Sequence, residues 1–359
     1  MDELLNNLTP SPGASPGVPS PGVPSPGAPS PGAPSPGTPS APGAPLAPGR
    51  FTLRGHLAIL RVDHWFKNVF VLPGIVVALG IDPDRLTPAL WTRLPLALLA
   101  TCLVASSNYV LNEVIDGPYD RHHPTKQGRP VPSGRVHIGI AYVQWLVLMV
   151  LGVGLGWLAV SPAFAAVMAV LWGMGCAYNV PPVRTKDVPY LDVISESVNN
   201  PLRMLAGWYA VGTALLPPAS LLVSYWMIGC YFMALKRFAE YRGIGDKARA
   251  TAYRKSFRWY DEQRLLVSVM FYAATSMLFF GAFLMRYRME LILSFPFVSF
   301  VMAQYLALSF KEDSAAQRPE GLWREPWLVG SVTVCAAVLA VLLFVDVPAV
   351  HAYFPASQR

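Results

Sequence analysis

Asn108, Asn112 and Asp116 recur every four residues, Glu113 lies one position round, and Asp120 follows four further on. Residues four apart share a helical face. Two amides and three carboxylates therefore converge at the end of a long apolar run. Unpaired carboxylates so close together repel. Hard oxygen ligands of this kind suit Mg²⁺, which takes one or two carboxylates together with phosphate oxygens of a substrate. The cations that follow, Arg121, Lys126 and Arg129, suit the rest of a phosphate or diphosphate. Pro118 cannot continue a helix interior, so Asp120 is expected on the loop just beyond the helix.

Two further segments carry matching chemistry. AYNVPPVRTKDVPYLDV offers Tyr178, Arg184 and Lys186, followed by Asp187 and Asp192; YFMALKRFAEYRGIGDKARA offers Lys236, Arg237, Glu240 and Asp246. Glu196, Asn199, Asn200 and Arg203 fall inside an apolar segment, and ionisable groups there are costly enough to be functional candidates. RVDHWFKN adds Arg61, Lys67 and Asn68, with Trp65 read as an interfacial anchor. His122 and His123 are read as loop residues, because adjacent histidines rarely ligate one metal together. Cys102, Cys176, Cys230 and Cys335 each sit in an apolar block without metal-ligand spacing and read as small packed hydrophobes.

The elements that must position these groups are membrane spans. Of 359 residues, 53% are hydrophobic and only 14% charged, with a mean hydropathy of +0.39. The apolar residues fall in blocks about 20 long, the length that crosses a bilayer. Nine helices are expected, at about 66–82, 94–116, 138–160, 162–180, 190–211, 216–238, 264–286, 289–309 and 327–346. The great majority of the 28 Lys and Arg fall before the first helix and after helices two, four, six and eight. Those regions share one side, so the N-terminus is expected in the cytoplasm and the C-terminus outside. The +7 net charge is thus an orientation signal, and no nucleic-acid motif accompanies it. Residues 1–50 cycle through PSPGV, PSPGA and PSPGT without a hydrophobic face and read as a disordered tail or spacer; 51–359 reads as one all-α membrane domain around a central cavity.

The pattern N-E-x-x-D-x-x-x-D followed by HPTKQGRPVPSG resembles the first signature of the UbiA-type intramembrane prenyltransferase superfamily, and AYNVPPVRTK is similar to its Tyr-to-Lys motif. The resemblance covers roughly 55–346, and nine N-in, C-out spans match it. It implies Mg²⁺ ions bridging acidic motifs to a diphosphate and a hydrophobic chamber for a polyprenyl chain. By position, Asn112, Glu113, Asp116 and Asp120 would form the metal and diphosphate motif. Lys126, Arg129, Tyr178, Arg184 and Lys186 would grip phosphate, with Asp116, Asp120 and Lys186 closest to the chemistry. Lys67, Asn108, Arg203, Lys236 and Arg237 are further substrate-binding candidates. Two departures stand out. Glu113 replaces the usual Asp. After helix six, where aromatic-substrate members carry a second acidic pair, the chain reads Lys236-Arg237-Phe-Ala-Glu240, leaving Glu240 as the one acid for a second metal motif. That basic version resembles the polyprenyl-phosphate phosphoribosyltransferase branch, in which a diphosphate-bearing phosphoribosyl donor meets a polyprenyl phosphate.

The expected reaction is ionising substitution at carbon, with diphosphate departing into the cations and Mg²⁺. The expected setting is a bacterial plasma membrane with the active face cytoplasmic. Prenyl transfer from a polyprenyl diphosphate to an aromatic or lipid acceptor is the alternative within the superfamily. A transporter would also place polar residues within spans, but no two spans show corresponding breaks in the sequence. A non-catalytic scaffold would tolerate Asp116→Asn.

Overall fold

A computed structural model describes residues 48–121, 126–317 and 319–353. The tail, apart from 48–50, and both His122 and His123 lie outside the described residues. Among the described residues every regular element is helical. The first span, Leu53–Ile81, is built from α1 (Leu53–Ala58), a 3₁₀ segment (Val62–Val71) and α2 (Leu72–Ile81). There follow α3 (Pro88–Asp120), α4 (Ile138–Ala159), α5 (Pro162–Asn179), α6 (Leu191–Ser197), α7 (Asn199–Val211) and α8 (Ala219–Ile244). The chain continues with α9 (Lys247–Tyr253), α10 (Glu262–Tyr287), α11 (Phe295–Ser309), α12 (Pro326–Phe344) and α13 (Pro348–Tyr353).

Local chemistry sets many of these ends. Ser161 caps α5 through its hydroxyl, with Pro162 in the first helical position. Asp261 caps α10, and Glu262 adds a carboxylate to that positive end. Gly245, at φ +68°, closes α8 in the left-handed conformation.

Eight helical stretches among the described residues are long and apolar enough to cross a membrane. The fifth expected span differs, because it is two helices broken at Val198. Pro201 has no N–H to return to the preceding turn, so the helical ladder cannot run through. Asn199 instead donates to the Glu196 carbonyl at 2.9 Å. The first span is interrupted as well, by its 3₁₀ stretch. Two spans are therefore interrupted. Pro118 corrects a second expectation: α3 runs through it to Asp120. A proline two residues from the helix end disturbs little of the ladder, and cations from the following loop hold Asp120 on the helix. Asn112, Asp116 and Asp120 thus share one continuous helical face.

Small residues bring the helices together. Between lipid-exposed helices no hydrophobic gain drives association, and close backbone approach supplies the contact instead. A Cβ on Gly74 would lie 1.9 Å from the Met204 carbonyl, and one on Gly207 would lie 2.1 Å from that of Val71. Glycine at both positions lets α2 and α7 touch backbone to backbone. Ala100, Val104, Met168, Leu171, Leu202 and Ala206 fill the seam between α3, α5 and α7. The cysteines are free: Cys102, Cys230 and Cys335 are buried and Cys176 half-buried.

The five basic regions are tied together by direct contacts. Arg50 donates to Gly134, and Thr52 to Arg135. Arg184 and Lys186 reach Asp116, Arg254 reaches Tyr178, and Gln317 reaches Ala239. All these loops gather at one end of the bundle.

Gly207→Ala is expected to destabilise by about 1–3 kcal/mol through overpacking. Gly154→Ala, which meets nothing within 4 Å, is expected to be neutral. Thermal unfolding of the two variants in one detergent checks the pair.

Candidate active site at the charged end of the bundle

Two ionic clusters lie at this end. The first joins α3 to the loop after α5. Lys186 Nζ lies 2.6 Å from Asp116 Oδ1, and Arg184 Nη2 lies 3.1 Å from the same oxygen. Asp120 accepts from Arg129 Nη1 at 2.7 Å, with Lys126 Nζ 3.6 Å away. The Asn179 amide oxygen accepts from both Asn112 Nδ2 at 2.8 Å and Lys186 Nζ at 2.9 Å. Asn179 donates in turn to the Gly175 carbonyl, which fixes the amide orientations and turns the Asn112 carbonyl oxygen away from Asn179. Burial lowers the Lys186 pKa below that of an ordinary lysine, and Asp116 opposes the shift. Arg184 is held at φ +25°, a strained conformation for a residue with a Cβ. Its side chain is locked by Asp116, Asp187 and the Asn179 carbonyl.

The second cluster centres on Arg237, whose side chain is only 3% exposed. Its guanidinium reaches Asp192 at 3.3 Å, Glu196 at 2.7 Å and Glu240 at 3.0 Å. Asp192, fully buried, also accepts from Tyr260 Oη at 2.7 Å, Ser256 at 3.2 Å and Arg254 at 3.4 Å. Burial, and then the Asp192 carboxylate it serves, push the Tyr260 phenol well up. Tyr178 donates to Glu196 at 2.8 Å, and its ring lies 5.9 Å from Lys186 Nζ, so it bridges the two clusters. Lys236, half-buried, has no ion-pair partner among the described residues and adds positive charge near Glu196 and Glu240.

Several expected site residues stand elsewhere. Glu113 is 3% exposed and accepts from the Val131 backbone N–H at 3.1 Å. Its longer side chain pins the GRPVPSG loop instead of joining Asp116. Glu240 is committed to Arg237. Asn108 donates to the Leu171 carbonyl and packs where a Cβ on Gly175 would lie 2.2 Å from its Cγ, so it is a helix-packing amide. Lys67 lies on the 3₁₀ segment with its ammonium 5.8 Å from the Phe66 ring centroid. Trp65 donates to Ser106 at 2.9 Å, which tucks the indole against α3. Glu196 and Arg203 do not pair: Arg203 bonds Asn68 instead. Asn179, Arg254, Tyr260 and Ser256 join the clusters without standing out in the sequence. Of these, Asn179 alone carries a local signal, a polar side chain closing a span just before the basic loop.

Among the described residues no three His, Cys, Asp or Glu are arranged to hold a metal. Mg²⁺ delivered with a phosphate needs only one or two protein carboxylates. Asp116, Asp120 and the Asn112 carbonyl fit that smaller demand.

The sequence matches the family model described as the UbiA prenyltransferase family over residues 69–329. The chain belongs to the UbiA prenyltransferase family. It is a multi-pass integral membrane protein of a transferase family. It is 33% identical over 193 residues to a decaprenyl-phosphate phosphoribosyltransferase of Corynebacterium glutamicum, covering 52% of this chain and 54% of that protein. The match therefore spans about half of that relative's length. A Mycobacterium tuberculosis protein of the same name is 32% identical over 212 residues, covering 59% of this chain and 67% of its own. The fold matches a UbiA homolog from Archaeoglobus fulgidus, solved with GPP and Mg²⁺, with a TM-score of 0.62 at 21% identity, covering 80% of this chain and 99% of that one.

The Arg237 hub yields a sharp expectation. Arg237→Gln leaves buried Asp192 and the partly buried Glu196 and Glu240 without their shared cation, and removing one partner of a buried pair costs about 3–5 kcal/mol. The variant should unfold well below the parent on heating, and Glu240→Gln, which leaves Arg237 two acids, should lose clearly less.

Proposed function

We propose that the protein transfers the phosphoribosyl group of phosphoribosyl diphosphate to a polyprenyl phosphate, at the cytoplasmic face of a bacterial plasma membrane. The observation that carries this reading is Arg237, which binds all three acids of the second cluster. A guanidinium there leaves Asp116 and Asp120 as the carboxylates for a single metal–diphosphate unit. The surrounding excess of cations suits a substrate pair rich in phosphate. The named phosphoribosyltransferase relatives, at 32–33% identity, support the same choice.

In this reading Asp116, Asp120 and the Asn112 carbonyl would hold Mg²⁺. When bound, the ion would neutralise charge that develops on the departing diphosphate. Lys186 and Arg184 would release Asp116 in part to take diphosphate oxygens, and Arg129 and Lys126 would do the same from Asp120. The C1–O bond to diphosphate breaks with its electron pair leaving on the diphosphate. A phosphate oxygen of the lipid forms the new bond to C1. The acceptor is already an anion, so no general base is required. Tyr178 would hold Glu196 through its hydroxyl beside Lys186, in a site that must exclude the water that would trap the cationic ribose. A 30% identical lycopene elongase/hydratase of Haloarcula japonica, matched over 42% of this chain, favours a second reading, prenyl transfer from a polyprenyl diphosphate.

Purified protein in lipid with Mg²⁺ separates the two. Label is expected to pass from phosphoribosyl diphosphate to a polyprenyl phosphate, and this transfer to be abolished by EDTA. Asp116→Asn is expected to lower the rate by about 100-fold or more, the scale of losing one charge-stabilising group. Label passing only from a polyprenyl diphosphate to an aromatic or lipid acceptor would instead establish prenyl transfer.

A further inference from the structure

Arg203 departs from the charge pairing that holds both clusters together. Its Nε donates to Asn68 Oδ1 at 3.0 Å, and Nη1 makes a long 3.4 Å contact with the Asn199 carbonyl. Among the described residues no Asp or Glu lies within ion-pair distance of it. Asn68 is 2% exposed and donates through Nδ2 to Cys102 Sγ at 3.1 Å, so its amide cannot turn and its oxygen stays on Arg203. The bond to Nε leaves the Nη edge of the guanidinium as the open one. Arg203 lies among the first span, α3 and α8, and its side chain is only partly covered. Tyr109 and Tyr225 stand within electrostatic range of it.

A guanidinium in that setting is costly unless an anion meets it. Its neighbours, two phenols, the Asn68 amide and the Asn199 carbonyl, do not neutralise it. Along α3, Tyr109 lies seven residues from Asp116, about 10 Å at 1.5 Å per residue. Arg203, beside Tyr109, therefore lies roughly two turns below the first ionic cluster. A polar patch at that depth is a poor lining for a hydrocarbon tail and a good one for a second charged headgroup.

We infer that Arg203, oriented by Asn68, is the subsite for the phosphate monoester of the acceptor lipid. The inference rests on the phosphoribosyl reading for the identity of the acceptor. The Nη edge would take two phosphate oxygens side by side, as guanidinium does with phosphate. It would hold the attacking oxygen below the donor while Asp116, Lys186 and Arg184 keep the diphosphate above. Asn68 is a positioning residue that acts through Arg203.

The test uses the full chain in detergent without any donor, and reads binding of geranylgeranyl phosphate by native mass spectrometry against geranylgeraniol and 4-hydroxybenzoate. The phosphate should bind more tightly than the alcohol. Arg203→Gln should weaken the phosphate by about ten- to a hundred-fold and leave the alcohol unchanged. Asn68→Asp supplies a resident carboxylate to Arg203. It should weaken the phosphate while the melting temperature is kept or raised, which covers the case in which Arg203→Gln fails to fold. In turnover, Arg203→Lys should raise KM for the lipid phosphate with KM for phosphoribosyl diphosphate little changed. Unchanged phosphate affinity in Asn68→Asp or in a folded Arg203→Gln overturns the inference, as does tighter binding of 4-hydroxybenzoate than of the phosphate. Arg203-dependent phosphate binding without any turnover of phosphoribosyl diphosphate would overturn the phosphoribosyl reading and keep the subsite.

Discussion

Arg237 sits at 3% exposure between three carboxylates contributed by two helices, and the charged end of the bundle depends on it. Asp192 and Glu196 come from α6, the short half of the broken fifth span, and Glu240 from α8. Acids this close would repel in a low-dielectric interior, and one guanidinium with several donors satisfies them together. Asp192 then carries the link outward, through Tyr260, Ser256 and Arg254, to the loop before α10. The same cation occupies the region where other members of the superfamily are expected to place a second acidic pair.

The two interrupted spans are where polar chemistry enters the membrane. A continuous helix uses all its backbone groups internally, whereas a break frees carbonyls and amides for side chains and substrate. Asn199 answers one freed carbonyl at the break of the fifth span. The 3₁₀ stretch of the first span presents Asn68 to Arg203 across the bundle. Gly74 and Gly207 allow the backbone contact between α2 and α7 that keeps these two irregular segments in register. Packing by small residues is therefore coupled directly to the Asn68–Arg203 contact inside the bundle.

The repeat along α3 shows how far spacing alone can be trusted. Asn112, Asp116 and Asp120 share a face as their four-residue interval requires, and all three join the first cluster. Asn108 has the same spacing but faces Gly175 of α5, where it serves packing. Glu113, one position round, is drawn to a backbone N–H of the following loop. Pro118 signals a helix stop because its local cost is real, but ion pairs from the next loop hold Asp120 on the helix.

The sequence by itself determined most of the membrane spans, though not the break in the fifth, together with the gathering of basic loops and the spacing of the acidic face. Each of these is written in neighbouring residues, through hydrophobic length, charge bias and helical periodicity. Only the tertiary structure decided that Arg237 takes up Asp192 and Glu196, that Arg203 meets Asn68 instead of an acid, and that Asn179 joins Asn112 to Lys186. Partner choice among charges depends on which helices touch and at what depth. Residues separated by 41 or 135 positions carry no local trace of that contact.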